Sequence, residues 1–234
     1  MKRPPTGDQN DPAWNRGRLI AIYIIAFFAV WTFRATLLFG IDERLSPGFL
    51  AIYSNGVKLL LWVLPAVLYL KYVDRVRPFP ALLLVGDADR AGLINAIGAS
   101  VIFLALMVMT TGVTDPDGFR RLAASDAGAW MAAIGGVWIS AMLEEILFRG
   151  FLLPGVAGRL GFTLGNVVVS ILFVLIHWPN WIWTGTFGAG KLVVSGSILL
   201  LSLVLGYTVR WSRSIWPAIF LHIMNNVLAA LSHP

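Results

Sequence analysis

Two adjacent carboxylates, Glu144 and Glu145, stand apart from the other acidic residues of this sequence. The chain has 12 Asp and Glu, and all but these two fall in the N-terminal tail or in polar connections between apolar runs. An ionisable side chain at bilayer depth costs on the order of 2.5 to 3.5 kcal/mol even on a lenient insertion scale, so it calls for a partner and a function. Arg149 follows Glu145 by four residues and shares its helical face, where it can neutralise that carboxylate. Glu144 is turned about 100° away. Lacking this local partner, it is the carboxylate better suited to act as a base. His177 and His222 also lie in apolar runs. Phe173 precedes His177 by four residues and Asn226 follows His222 by four, so each pair projects from one helical face.

For these groups to meet, the elements that carry them must cross a membrane. Apolar residues make up 58% of the chain and charged residues 13%, against roughly 25% charged in a soluble domain. Apolar runs long enough to span a bilayer lie at about 19–40, 48–70, 92–112, 127–149, 162–177, 192–209 and 214–232. The stretch from Trp178 to Gly190, with Trp178, Trp181, Trp183 and Pro179, reads as an interfacial or re-entrant segment and a possible eighth element. The expected fold is all-α, a polytopic transmembrane bundle of seven or eight spans. Residues 1–18 form a tail, 19–126 the N-terminal helices, and 127–234 the helices that carry the chemistry within the same domain. At 1.5 Å per residue, Glu144 and His177 each lie roughly 20 Å from the turn near Gly158 to Gly161, and His222 roughly 15 Å from the turn near Ser212. All three reach the middle of a hydrocarbon core about 30 Å thick.

The net charge of +6 is spread through connections between apolar runs and forms no patch of the kind that binds nucleic acid. The connections on the N-terminal side hold 11 Lys and Arg and those on the other side 4. By the positive-inside rule the N-terminus is cytoplasmic and, with seven spans, the C-terminus lies outside. The chain has no cysteine, which excludes disulfides and thiolate metal sites.

Taken in order, Glu144-Glu145-x-x-x-Arg149, Phe173-x-x-x-His177 and His222-x-x-x-Asn226 resemble the three motifs of the CPBP family. That family comprises CAAX prenyl endopeptidases of the Rce1 type and bacterial bacteriocin-processing or immunity proteins. The resemblance covers residues 127 to 230; the first 126 carry no motif. It implies an intramembrane protease in which Glu144 and His177 activate a water, His222 and Asn226 donate to the tetrahedral oxyanion, and Glu145 with Arg149 fixes the helix. The substrate would be a membrane-associated peptide or protein. The short connections look bacterial, which places the protein in the inner (plasma) membrane.

Other readings remain open at this stage. The carboxylates and histidines could form a proton relay in a carrier, or the motifs could persist in a membrane scaffold or immunity protein. Glu144, His177 and His222 could ligate zinc in the His₂Glu manner, but the chain lacks H-E-x-x-H, and the expectation is that no metal or other cofactor is needed. Arg34 is expected to snorkel from the outer end of its helix, Lys58 is left outside the site although it falls mid-span, the ten tryptophans are taken mostly as an aromatic belt, and His233 as inert.

Overall fold

The computed structural model describes residues 12–232 except residue 87; the larger part of the tail, with His233, lies outside the described residues. Among the described residues six helices are long and apolar enough to cross a membrane, and a seventh, shorter apolar helix follows them. In chain order the elements are α1 (Gly17–Thr36), α2 (Gly48–Val73), α3 (Arg90–Thr114), α4 (Pro116–Ala124), α5 (Ala127–Leu160), α6 (Phe162–Trp183), α7 (Ala189–Ser212) and α8 (Trp216–Ser232). The protein is a polytopic helical membrane protein, as the apolar runs imply. The short α4 lies in the connection between α3 and α5, with Asp115 capping its first turn through the Gly118 N–H at 2.9 Å.

Two departures from regular α-helix bear on the site. Helix α5 does not end near residue 149; it continues to Leu160 through a π-helical segment at Ile146–Leu152, every residue of which is buried. A second π segment, Leu59–Val63, interrupts α2 immediately after Lys58. Each is followed within two residues by a proline, Pro154 and Pro65. Proline has no N–H to donate and its ring crowds the carbonyl four residues back, so a widened turn is one way for a helix to pass it. Gly161, at φ 76°, then closes α5 and lets the chain reverse into α6. Within α6 the first helical segment stops at Leu175, and His177 sits at the turn before the short segment Trp178–Trp183. Of the stretch from Trp178 to Gly190, residues Trp178–Trp183 form a short helical extension of α6.

Helices α7 and α8 pack against each other, against α3, and against α6 and α5 respectively. Helix α2 lies along α5, and α1 along the ends of α5 and α6. The core between them is aromatic: Phe27, Trp62, Phe148 and Phe173 are buried and meet edge to face, with Trp62 5.6 Å from Phe27, Phe148 6.1 Å from Trp62, and Phe173 4.9 Å from Phe148. Trp62 is therefore a core residue and not part of an interfacial belt. At Gly206 a Cβ would stand 1.8 Å from Asn166 Oδ1, so only glycine allows the Asn166 amide to lie on α7 and donate to the Leu203 carbonyl at 3.0 Å.

Candidate active site

The four-residue spacing of Glu145 and Arg149 delivers the expected pair. Arg149 Nη1 donates to Glu145 Oε1 at 3.1 Å, with both side chains shut off from the surface. Arg149 is held further by the Ser202 hydroxyl at 2.6 Å and carbonyl at 3.1 Å on α7, and its guanidinium lies over the Phe173 ring at 4.7 Å. A buried cation needs this many partners to offset its desolvation.

His222, from α8, completes the cluster. Its Nδ1 lies 2.7 Å from Glu145 Oε1 and its Nε2 3.8 Å from Glu144 Oε2. A carboxylate only accepts, so the Nδ1 proton points at Glu145 and the Nε2 faces Glu144. The two adjacent glutamates therefore hold opposite edges of one imidazole. At 3.8 Å the Nε2 and Oε2 atoms are too far apart for a direct hydrogen bond and at a separation that one water could bridge.

Glu144 has partners that its helix position does not reveal. Lys58 Nζ, from the end of the regular part of α2, lies 2.5 Å from Glu144 Oε1 and 2.5 Å from Ser140 Oγ. The Ser140 hydroxyl, one turn before Glu144, donates to the same carboxylate oxygen at 3.2 Å. Lys58 also stands 5.0 Å from the centre of the Trp62 ring. Glu144 thus has no cationic partner on its own helix, as the spacing implies, and its counter-charge comes from α2. Lys58, left outside the site on sequence grounds, belongs to it. One signal could have found it, since a lysine in mid-span and a carboxylate without a local partner each require the other. Arg34 is corrected too. It is buried and forms a two-pronged pair with Asp42, at 2.9 and 2.6 Å, and does not snorkel to the surface.

His177 is fixed by its Nδ1, 2.9 Å from the Phe173 carbonyl, and among the described residues its Nε2 has no hydrogen bond. Its ring packs at 5.6 Å from that of Phe173, which also stands 5.6 Å from His222. Phe173 thus props both imidazoles, and Glu144 acts electrostatically on Lys58, His222 and His177 together. Asn226 is the outlying member. It is half-buried, and its amide oxygen accepts from Asn225 Nδ2 at 3.2 Å; among the described residues no hydrogen bond joins it to the Glu and His cluster. The second oxygen of Glu145 is buried and, among the described residues, has no hydrogen-bond partner.

Among the described residues no three His, Cys, Asp or Glu side chains are grouped so as to hold a metal ion. Lys58 engages Glu144 Oε1, whereas Oε2 faces His222 Nε2.

Residues 126–228 match the family model for a type II CAAX prenyl endopeptidase, Rce1-like. This segment is similar to an Rce1-like domain. No curated protein and no solved structure was found to match the chain significantly. The matched segment contains Glu144, Glu145, Arg149, His177, His222 and Asn226, whereas Lys58 comes from outside it. The family points to a protease.

Proposed function

We propose that this membrane protein is an intramembrane endopeptidase that hydrolyses a peptide bond of a membrane-associated protein or peptide. The observation that carries the reading is the 3.8 Å gap between Glu144 Oε2 and His222 Nε2, buried within the bundle and backed on one side by Lys58 and on the other by Glu145. A water held between those atoms loses a proton to Glu144 as its oxygen attacks the scissile carbonyl carbon. The carbonyl becomes a tetrahedral oxyanion. Glu144 then passes the proton to the amine as the C–N bond breaks, which leaves a new carboxylate and a new amino terminus. His222 is the positioning partner, held by Glu145 in the tautomer with its proton on Nδ1.

The oxyanion needs donors aimed at it before the reaction. The Asn226 amide is the group assigned to it, with the Lys58 ammonium supplying fixed positive charge nearby; His177, whose Nδ1 donates to the Phe173 carbonyl, presents Nε2 as an acceptor and does not donate to the oxyanion. No metal is required in this scheme, since Lys58 already provides the cation beside Glu144. Relative to the motif-based reading, His222 takes the place at the water that the motifs gave to His177, and Asn226 keeps its place at the oxyanion.

The orientation with a cytoplasmic N-terminus, and residence in a bacterial inner membrane, follow from the distribution of basic residues and the short connections. The test is a comparison of protein termini in membranes from cells carrying the wild type or Glu144→Gln at equal abundance. One new terminus that is present with the wild type and missing with the variant supports the reading. Identical termini in both would remove it.

A further inference from the structure

Away from the carboxylates, at the end of the bundle where α5 turns into α6 and α7 ends, there is an open cleft of about 470 Å³. Its charged lining is entirely basic: Arg149 at the base, and Arg210 and Arg213 at the rim. Arg149 is engaged by Glu145 and Ser202, but the rim arginines are not neutralised. Both are exposed, and among the described residues neither is paired with a carboxylate. Arg210 rests over the Phe162 ring at 5.5 Å. Arg213 is held in the left-handed region, at φ 54°, as the residue that caps α7, which fixes where its side chain leaves the backbone. The remaining wall is apolar, with Leu153, Phe162 and Val209.

We infer that this cleft binds an anionic phospholipid, its phosphate between Arg210 and Arg213 and an acyl chain along Phe162 and Val209. Charge and position both favour that occupant. Two guanidiniums with no carboxylate partner among the described residues, at the end of a membrane-spanning helix, sit where phospholipid headgroups lie, and a basic pocket between transmembrane helices is a recurring headgroup site. Guanidinium forks bind phosphate oxygens in pairs, which suits them to a phosphodiester. A soluble anion would gain nothing from the apolar wall. A zwitterionic lipid would bring its own ammonium group to the two arginines.

Native mass spectrometry of the full chain, released from mixed micelles containing equal phosphatidylglycerol and phosphatidylcholine, reads this directly, with melting temperature in each lipid or in inorganic phosphate as a second measurement. The variant is Arg210→Gln with Arg213→Asn, because asparagine tolerates the left-handed backbone at 213. Expected is one retained phosphatidylglycerol in preference to phosphatidylcholine, a higher melting temperature with phosphatidylglycerol alone, and about tenfold weaker retention in the variant. Equal retention of the two lipids, or unchanged preference in a variant that remains folded, overturns the site. Stabilisation by inorganic phosphate equal to that by phosphatidylglycerol would assign the cleft to a free anion and overturn the lipid.

Discussion

The two halves of the bundle are built differently. In α1, α2 and α3, 22%, 22% and 17% of the most apolar stretch is buried within the protein, whereas in α5, α6 and α7 the shares are 39%, 39% and 33%. The first half therefore presents more of its surface to lipid. The second encloses the carboxylates, both imidazoles and Arg149, and it alone matches the Rce1-like family. Yet the first half supplies Lys58, the counter-charge of Glu144. Close packing is concentrated where polar side chains must be held to a few tenths of an ångström, and the looser helices contribute by delivering one cation to that frame.

Substitutions can break this division at several points, and the largest effect should fall in the second half. Glu144→Gln keeps the shape and removes the base, so peptidase activity should fall by about 10³-fold or more with little change in yield; turnover on a defined substrate in detergent checks it. Next is Lys58→Met, which keeps the length of the side chain and removes the charge. Activity should drop by about 10²-fold, as for loss of one preorganised electrostatic group. A variant with wild-type turnover would return the first half to a purely structural role.

Glu145→Gln should act on stability before chemistry. It strands the Arg149 guanidinium in a sealed site, and breaking a buried pair from one side costs about 3 to 5 kcal/mol. Thermal unfolding in detergent should show a lower midpoint for this variant than for Glu144→Gln, whose carboxylate is nearer the surface. The smallest effect separates two glycines of α3. A Cβ at Gly92 would fall 1.7 Å from the Trp211 carbonyl oxygen, while nothing lies within 4 Å of one at Gly98. Gly92→Ala should cost about 1 to 3 kcal/mol through forced separation of α3 from α7. Gly98→Ala should be neutral or slightly stabilising. Equal melting temperatures for the two would mean that α3 is not anchored at that contact.

What could be read from sequence follows the range of the interactions. Glu145 and Arg149 are four residues apart, so helical periodicity alone predicts their pairing. The seven apolar runs and their order are equally local properties. Lys58 and Glu144 are 86 residues apart, and no periodicity connects them. Only the cost of two buried charges could have suggested the pair. His222 shows the same limit: its spacing to Asn226 predicts a shared face, but its hydrogen bond runs to Glu145 on another helix, 77 residues away. The π segments are hinted at by Pro65 and Pro154, since a proline inside an apolar run permits a kink, a break or a widened turn, and packing chooses among them.

The reaction itself can be followed with the protein reconstituted in liposomes, stripped with a membrane-permeant chelator and given a peptide spanning the mapped bond in ¹⁸O-labelled water. Wild type is expected to cleave at its unstripped rate and place one labelled oxygen in the new carboxylate, while Glu144→Gln yields no product. Cleavage by Glu144→Gln at the wild-type rate, or wild-type activity lost on stripping and regained with zinc alone, would contradict a metal-free site in which Glu144 activates the water.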